Sequence, residues 1–356
     1  MIFFTILRYV FSAIVTVVLA FSPNIAHFIA YTPVHSTTPV IEQTSVAPSL
    51  FEGIADIIRT RLHTDGRYQQ ASVIEAIATS SPISETPIEA ALVNIFCTTR
   101  EENTLRTITG SGVFIDKHGV ILTNAHIAQL LLIGPTDKTQ THCVVRQGSP
   151  ATAKYEAGLL YVSPAWIIHN ASQISADKPS GTGENDFALL YVTRAMEGDL
   201  PATFPSLLPN PTAPLASPLE VRAAGYPAEM LTIENTGKPL VPTIATTSIA
   251  QLFTFGSGEI DLVAIAPSTV GEQGSSGGPI VNEDGSLIGL IVTRGNTRKE
   301  GAQSLRALTI AYIDRTLREE TGLDLAHTLA GDIPHRAKAF HETVAPYLQK
   351  LLLNAS

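Results

Sequence analysis

The sequence predicts an antiparallel all-β fold, either a barrel or a sandwich, over most of its length. Short apolar runs that are rich in β-branched residues begin near Ala90 and recur as far as Thr293. Turn sequences such as DKHG and NEDG separate these runs, and no helical pattern alternates with them, which argues against a parallel sheet. The predicted strands read LVNIFC, GSGVFID, VILTNA, THCVVRQ, LLYVS, FALLYVT, LEVRAAGY, IAQLFTF, LVAIAPS, GPIVN and SLIGLIVT.

Helices are predicted on both sides of the strands. Apolar residues at helical spacing in SLFEGIADIIRTRL indicate a helix within a pre-segment from Phe51 to Ser81, for which we expect a structural role. After the strands, LTIAYIDRTLREETG predicts a helix that Gly322 ends. The tail from Pro334 to Leu353 has the pattern of a further amphipathic helix.

The composition is that of a folded protein and excludes one class of function. Of 356 residues, 44% are hydrophobic and only 15% are charged, which is unlike a disordered chain. The net charge of −9 gives no basic surface for nucleic acid, so no nucleic-acid partner is predicted. No metal-ligand spacing occurs around the two cysteines, and we predict neither a metal nor a cofactor.

The N-terminus predicts export from the cytoplasm. Residues 1–31 carry one charge, Arg8, ahead of an apolar stretch that is typical of a secretory signal. The segment VLA forms a weak cleavage site, but apolar residues resume after Pro23, so a cleaved signal and a retained membrane anchor both stay open. Residues 32–49 are rich in Pro, Thr and Ser and are predicted to be a linker.

The stretch GEQGSSGGPIVN, from Gly271 to Asn282, is the strongest chemical signal in the chain. A phosphate-binding loop would open a helix, whereas this stretch continues as strand, turn and strand. A flexible linker would not be flanked by apolar strands. The remaining interpretation is a turn that presents a serine nucleophile, which needs a basic group, an orienting acid and backbone N–H donors for an oxyanion.

The base and the acid are both found at ends of predicted strands. VILTNA leads directly into His126, and Asp186 immediately precedes the apolar run FALLYV. Glu184 is the competing acid, two residues earlier. A histidine that is oriented by a carboxylate can take a proton from a serine hydroxyl.

These motifs resemble those of the trypsin/chymotrypsin-like serine proteases. TNAH is similar to the histidine motif, DFALL to the aspartate motif and GSSGGP to the GxSGGP serine motif, in the same chain order. GSGVFID, GYP and SGGPIVNEDGSLIGL are most similar to the HtrA/Deg-type bacterial branch. The resemblance implies a chymotrypsin-like double β-barrel, although the chain after Leu317 is too short for a PDZ domain.

The resemblance also implies roles for individual residues. Ser276 precedes Gly-Gly and is the expected nucleophile, and Gly274 and Ser276 are the expected oxyanion-hole donors. Ser275 stands where trypsin-type zymogens carry an aspartate, so activity is not expected to require insertion of a freshly cut N-terminus. The expected substrate pocket comprises Val270, Thr293 and Arg294. An apolar Val270 at its base favours an apolar or small residue before the cut, while Arg294 leaves acidic selectivity as an alternative.

The two cysteines, Cys97 and Cys143, are open to two interpretations. In an exported protein they can form one disulfide, and the resemblance places their strands next to each other. The alternative is a pair of separate buried thiols.

Together these observations predict an exported serine endopeptidase that acts on proteins or peptides and contacts the membrane through its N-terminal segment. The expected order is a signal or anchor (1–31), a linker (32–49), a helical pre-segment (50–88), a protease domain (89–317) and a C-terminal helical extension (318–356). Two alternatives are a catalytically inactive, protease-like peptide-binding module and a structural envelope protein in which the barrel supports the terminal helices.

Overall fold

The computed structural model describes residues 86–101, 104–133, 139–173, 182–227, 239–256, 258–271, 274–294 and 305–355. The predicted signal or anchor, the linker and the pre-segment helices lie outside these ranges, and they stay predictions. Among the helices within the ranges, none is both long and apolar enough to cross a membrane. A short helix, α1 (Ile88–Ala91), precedes the first strand.

Six antiparallel strands in the N-terminal half close into a first barrel, which we call barrel 1. Their order around the barrel is β1-β2-β3-β6-β5-β4. Apolar side chains from these strands fill the barrel, and all four residues of β3 are buried. The strands are β1 (Leu92–Glu101), β2 (Thr104–Phe114), β3 (Val120–Thr123), β4 (Thr139–Gln147), β5 (Thr152–Val162) and β6 (Ala188–Ala195).

Six further antiparallel strands close barrel 2, in the order β10-β11-β12-β9-β8-β7. The two closed barrels confirm the prediction of a chymotrypsin-like double β-barrel. Closure leaves no unpaired sheet edge, which explains how so many short strands form a stable domain. The strands are β7 (Leu219–Gly225), β8 (Thr243–Phe253), β9 (Leu262–Ile265), β10 (Pro279–Val281), β11 (Leu287–Arg294) and β12 (Leu305–Thr309).

One strand, β12, differs from the sequence prediction. Its last residues were predicted to begin the helix LTIAYIDRTLREETG, but they pair with β9 and β11 instead. Helix α4 (Ile310–Thr321) starts only after Thr309, whose hydroxyl accepts the N–H of Tyr312 at 3.0 Å and so caps the helix. Gly322 ends α4 in the left-handed conformation, with φ +80°, which confirms the predicted stop.

Helices also occur between strands. Helix α2 (Ala125–Ile133) follows β3, and α3 (Pro164–Asn170) follows β5. Neither was predicted, because each interrupts a run of strand-like residues. For α3 the local signal is Ser163 followed by Pro164: the serine hydroxyl accepts the N–H of Trp166 at 3.3 Å, and proline suits the first helical position.

The C-terminal helices pack on barrel 1. The tail that was predicted as one helix divides at Val344 into α6 (Ile333–Thr343) and α7 (Ala345–Ala355), after the short helix α5 (Leu325–Leu329). Helix α6 contacts β5, and α7 contacts α2 and α3. The side-chain amide of Gln349 donates to the carbonyl of Ile133 at 2.8 Å, at the C-terminal end of α2.

Helix α4 contacts both barrels, and the expected domain boundary at 317 falls inside it. On one side it packs on β11 and β12 of barrel 2. On the other side its Glu320, which is only 4% exposed, accepts hydrogen bonds from the hydroxyls of Tyr161 and Ser163 in barrel 1. Burial raises the pKa of Glu320 to about 8, against a smaller lowering by the N–H of Ala165.

The two cysteines form a disulfide between two neighbouring strands of barrel 1. Cys97 of β1 lies directly opposite Cys143 of β4, and the two sulfur atoms are bonded. Within the described ranges no cysteine is free. The bond ties the first strand of the barrel to the strand that follows α2.

Candidate active site

His126 lies at the junction of barrel 1 and helix α2. Strand β3 ends at Thr123, Asn124 follows, and His126 is the second residue of the helix. The N–H groups at a helix start have no partner inside the helix, and that of His126 donates to Asp186 Oδ1 at 2.9 Å. The carboxylate of Asp186 therefore caps the helix that carries the histidine.

The second oxygen of the same carboxylate orients the imidazole ring. Asp186 Oδ2 lies 2.7 Å from Nδ1 of His126, and Asp186 is only 4% exposed. The histidine side chain is 34% exposed, so its other edge faces the solvent side of the site. Glu184, the competing acid, is exposed, and the acid that changes the pKa of the ring is Asp186. The buried acid beside the histidine is therefore Asp186.

The loop before Asp186 is held by helix α4. Asn185 has a positive φ of 58°, which is uncommon for a residue other than glycine. Its side-chain oxygen accepts the hydroxyl of Tyr312 at 2.6 Å, and its N–H donates to the same hydroxyl oxygen at 3.2 Å. Burial raises the pKa of Tyr312 to about 12, so the hydroxyl keeps the proton that it donates.

The charge of Asp186 changes the basicity of His126. Burial lowers the pKa of the imidazole, but the negative charge of Asp186 and its hydrogen bond to Nδ1 together raise the pKa by more, so that it lies above the ordinary value. The raised pKa favours the imidazolium form. Such a pair can accept a proton at Nε2 while Nδ1 stays bonded to the carboxylate.

The loop from Gly274 to Gly278, which we call the serine loop, contacts barrel 1 close to His126. Ser276 is half-buried, and its carbonyl accepts the N–H of Ser111 in β2 at 2.7 Å. Gly110, which precedes Ser111 in β2, lies between the residue after His126 and the serine loop. A Cβ atom at Gly110 would fall 2.0 Å from the side chain of Ile127, which follows His126, and 3.4 Å from the carbonyl oxygen of Ser276.

Glycine is required directly after Ser276. Gly277 has φ +86°, and a Cβ atom there would lie 2.0 Å from the carbonyl oxygen of Ser111. Its N–H donates to the carbonyl of Ile291 in β11 at 2.8 Å. The loop is thus held against barrel 1 on one side and against barrel 2 on the other.

Two backbone donors of the loop have no acceptor among the described residues. Within the described part of the chain, the N–H groups of Gly274 and Ser276 donate no hydrogen bond. The carbonyl of the intervening Ser275 accepts the N–H of Gly278 at 2.9 Å. In a trans peptide the N–H points away from the carbonyl, so the N–H of Ser276 faces away from Gly278. Both donors are the ones that the resemblance assigns to an oxyanion hole.

The adjacent serine has a different environment. Ser275 is fully buried, and its hydroxyl has no hydrogen-bond partner among the described residues. The backbone and side chain of Ser275 lie against Gly225, where a Cβ atom would approach to 2.9 Å. A buried hydroxyl of this kind is poorly placed to attack a substrate.

The structure describes the predicted substrate pocket only in part. Val270 is fully buried and packs in the apolar cluster of barrel 2. Thr293 and Arg294 lie in β11 and pair with β12, while their side chains fall outside what the structure describes. The assignment of these three residues to the pocket stays a prediction.

A separate cavity of about 360 Å³ lies beside the loop that precedes Asp186. Glu184, Asn185, Tyr312 and Arg315 are among its lining residues, whereas His126, Asp186 and Ser276 are not. In the described ranges no group of three or more His, Cys, Asp or Glu side chains could hold a metal ion.

Sequence reasoning missed two residues that hold the site in place. Ser111 contacts the serine loop, and Tyr312 contacts Asn185. The GSG motif around Ser111 was visible as part of the resemblance, but nothing in the sequence indicated which loop it would contact. Tyr312 lies in an ordinary amphipathic helix and gave no signal.

Comparisons with known proteins match much of the barrel region. The family model described as the trypsin-like peptidase domain matches residues 110–290. No curated protein matches the chain. Among solved structures, the active form of the Rv3671c protease from M. tuberculosis is similar at 18% identity, with a TM-score of 0.41, over 70% of this chain and 94% of that one.

A second solved structure is similar to about the same degree. It is the inactive form of Rv3671c from M. tuberculosis H37Rv, a serine-to-alanine mutant, at 18% identity and a TM-score of 0.40, over 69% of this chain and 97% of that one. The family model covers half of the 356 residues, from β2 to β11, and this range includes His126, Asp186 and Ser276. The chain belongs to the family of the trypsin-like peptidase domain.

Proposed function

We propose that this chain is an exported serine endopeptidase that hydrolyses peptide bonds through His126, Asp186 and Ser276. The observation that carries the proposal is the double contact of one buried carboxylate with His126. One oxygen of Asp186 holds the backbone of His126 at 2.9 Å, and the other holds Nδ1 of its ring at 2.7 Å. A ring held in this way presents Nε2 as the base.

The first half of the reaction forms an acyl-enzyme. Ser276 Oγ attacks the scissile carbonyl carbon while Nε2 of His126 takes the hydroxyl proton, and the carbonyl π pair becomes an oxyanion. The oxyanion then re-forms the carbonyl and expels the amine, which receives the proton from His126. Asp186 stabilises the imidazolium throughout and keeps its own charge.

The second half releases the product. Water attacks the ester carbon, His126 takes the proton of the water, and a second oxyanion forms. Its collapse breaks the bond to Ser276 Oγ, and the proton returns from His126 to that oxygen. The N–H groups of Gly274 and Ser276, which have no acceptor among the described residues, support a role as the donors to both oxyanions, each worth about 3 kcal/mol.

Export is part of the proposal, with residues 1–31 as a signal or a membrane anchor and residues 32–49 as a linker to the rest of the chain. The disulfide between Cys97 and Cys143 supports it, because structural disulfides persist in oxidising compartments. The neutral, buried Ser275 supports a site that needs no N-terminal insertion. For specificity we propose an apolar or small residue before the cut.

A fluorophosphonate probe tests the function, because it reacts only with a serine that an adjacent base activates. We expect the probe to modify the wild-type protein, and mass mapping to locate the label on Ser276. The Ser276→Ala variant should stay unlabelled. The matched variant Ser275→Ala should be labelled like the wild type and be no less stable, because its lost hydroxyl has no partner in the described structure.

The same experiment distinguishes the proposed protease from its main alternative. A folded wild-type protein that the probe leaves unmodified, and that cleaves no member of a peptide library, would be a catalytically inactive peptide-binding module. A label on Ser275 would overturn the choice of nucleophile.

A further inference from the structure

Ser111, in the GSG motif of β2, connects the two barrels at the serine loop. It is fully buried. Its hydroxyl donates to the carbonyl of Gly274 at 2.8 Å, and its N–H donates to the carbonyl of Ser276 at 2.7 Å. One residue of barrel 1 therefore holds a carbonyl on each side of Ser275.

The hydroxyl of Ser111 is itself fixed in direction. It accepts the N–H of Tyr226, at the end of β7 in barrel 2, at 2.9 Å. The carbonyl of Ser111 accepts the hydroxyl of Thr123 at 2.8 Å. Since the hydroxyl accepts one hydrogen bond and donates another, its single proton points at Gly274 and nowhere else.

These contacts turn the loop carbonyls toward barrel 1. A peptide unit that is held by its carbonyl cannot rotate without losing a buried hydrogen bond. Ser111 holds the peptide units Gly274–Ser275 and Ser276–Gly277 by their carbonyls. The N–H of Gly278 holds the unit between them, Ser275–Ser276, which carries the N–H of Ser276. Ser111 therefore fixes the backbone on both sides of the unit that presents the N–H of Ser276, and it fixes Gly274 on the side that follows its own N–H. Neither N–H has an acceptor among the described residues.

We propose that Ser111 is a positioning residue that fixes, from the opposite barrel, the serine-loop backbone next to the oxyanion-binding N–H groups of Gly274 and Ser276. This inference rests on the proposed function. Ser111 touches neither the substrate nor the reacting atoms, and it acts only through the backbone of Gly274 and Ser276. Its loss should therefore weaken binding of the transition state much more than binding of the substrate.

The test uses Ser111→Ala, which leaves the carbonyl of Gly274 and the N–H of Tyr226 without their partner. We expect kcat on a peptide from a cleavage library to fall about 10- to 100-fold, with KM within about threefold of the wild-type value. A peptide aldehyde of the same sequence adds Ser276 Oγ to its carbonyl and places an oxyanion at the loop. Its affinity should fall by the same factor as kcat.

The matched control is Ser163→Ala, at the start of helix α3 and away from the serine loop. Ser163 is also fully buried, and its hydroxyl also donates one hydrogen bond and accepts one backbone N–H. This variant should lose comparable stability while kcat and aldehyde affinity stay within about threefold of wild type. Ser111→Cys, whose thiol is a weaker donor, should lie between Ser111→Ala and the wild type.

The possible results separate this inference from the function on which it rests. If the wild type cleaves peptides and Ser111→Ala matches Ser163→Ala in both kcat and aldehyde affinity, the inference is wrong and the function stands. If Ser111→Ala does not fold, a folded Ser111→Cys with wild-type aldehyde affinity overturns the inference in the same way. A wild type that the fluorophosphonate leaves unmodified overturns both.

Discussion

Replacing Asp186 by asparagine is the sharpest test of the proposed site, because the structure dictates how the amide must sit. The N–H of His126 faces Oδ1 at 2.9 Å, so the amide oxygen of the introduced side chain has to occupy that position. Its NH₂ group then faces Nδ1 of His126, where Oδ2 lies at 2.7 Å in the wild type. Nδ1 must become an acceptor, so the ring carries its proton on Nε2, the atom that should take the proton of Ser276.

The expected loss is large because the wrong tautomer removes the base altogether. For a triad of this kind the same substitution lowers kcat by about 10⁴, or about 5 kcal/mol of transition-state stabilisation. The variant also loses the anion that raises the pKa of His126, while the burial that lowers this pKa remains. The pKa of His126 should therefore fall.

The assay is kcat/KM as a function of pH, from about pH 5 to about pH 9, on one peptide. The proposed mechanism needs neutral His126, so wild-type activity should be lost as the pH falls through a pKa that lies above the ordinary histidine value. In Asp186→Asn the acid limb of the residual activity should move to lower pH. Thermal unfolding of both proteins checks that the variant is folded.

Glu184→Gln is the matched control, since Glu184 is an exposed acid that lies two residues before Asp186 in the chain. It should keep the wild-type profile. A kcat for Asp186→Asn within about tenfold of wild type, or an acid limb that moves to higher pH, would refute the reasoning. Loss of activity in Glu184→Gln would show that Glu184, and not Asp186, is the acid that orients His126.

Two further predictions concern stability. Gly277→Ala should cost about 2–5 kcal/mol in urea denaturation, since it combines φ +86° with a Cβ atom 2.0 Å from a carbonyl oxygen. Its control Gly198→Ala, at φ +67° with nothing within 4 Å, should cost only about 1–2 kcal/mol, and equal losses would contradict the packing argument. Glu320 has a pKa of about 8 in the folded chain, above its unfolded value of 4.5. Between these two pH values the folded state therefore binds more protons than the unfolded state. The free energy of unfolding should fall as the pH rises through that interval, by about 1.4 kcal/mol per pH unit. Glu320→Gln should reduce this slope in urea unfolding between about pH 5 and about pH 8, and an unchanged slope would show that Glu320 ionises freely.

The strands were predictable because their signal is local. Alternating or continuous apolar runs between turn sequences need no knowledge of their partners, and the two barrels contain all eleven predicted runs. The errors occurred where tertiary pairing overrode local preference. Leu305–Thr309 became a strand because β9 and β11 supply partners on both sides.

The site residues were predictable in kind but not in arrangement. The motifs predicted His126 and Asp186 as a base and an acid, since each directly adjoins an apolar strand. The sequence could not show that one carboxylate caps helix α2 with one oxygen and orients the ring with the other. Such a contact spans 60 residues and depends on how β3 pairs with β6.

By itself, the sequence determined the all-β class, the order of the three chemical motifs and the serine that adjoins Gly-Gly, because short-range patterns carry these properties. Only the tertiary structure decided which backbone groups of the serine loop are held and which are left without an acceptor among the described residues. Ser111 and Gly274 are 163 residues apart, and only the packing of one barrel against the other brings the hydroxyl of the first to the carbonyl of the second. The direction of a peptide unit depends on its hydrogen-bond partner, and here that partner lies in the other barrel.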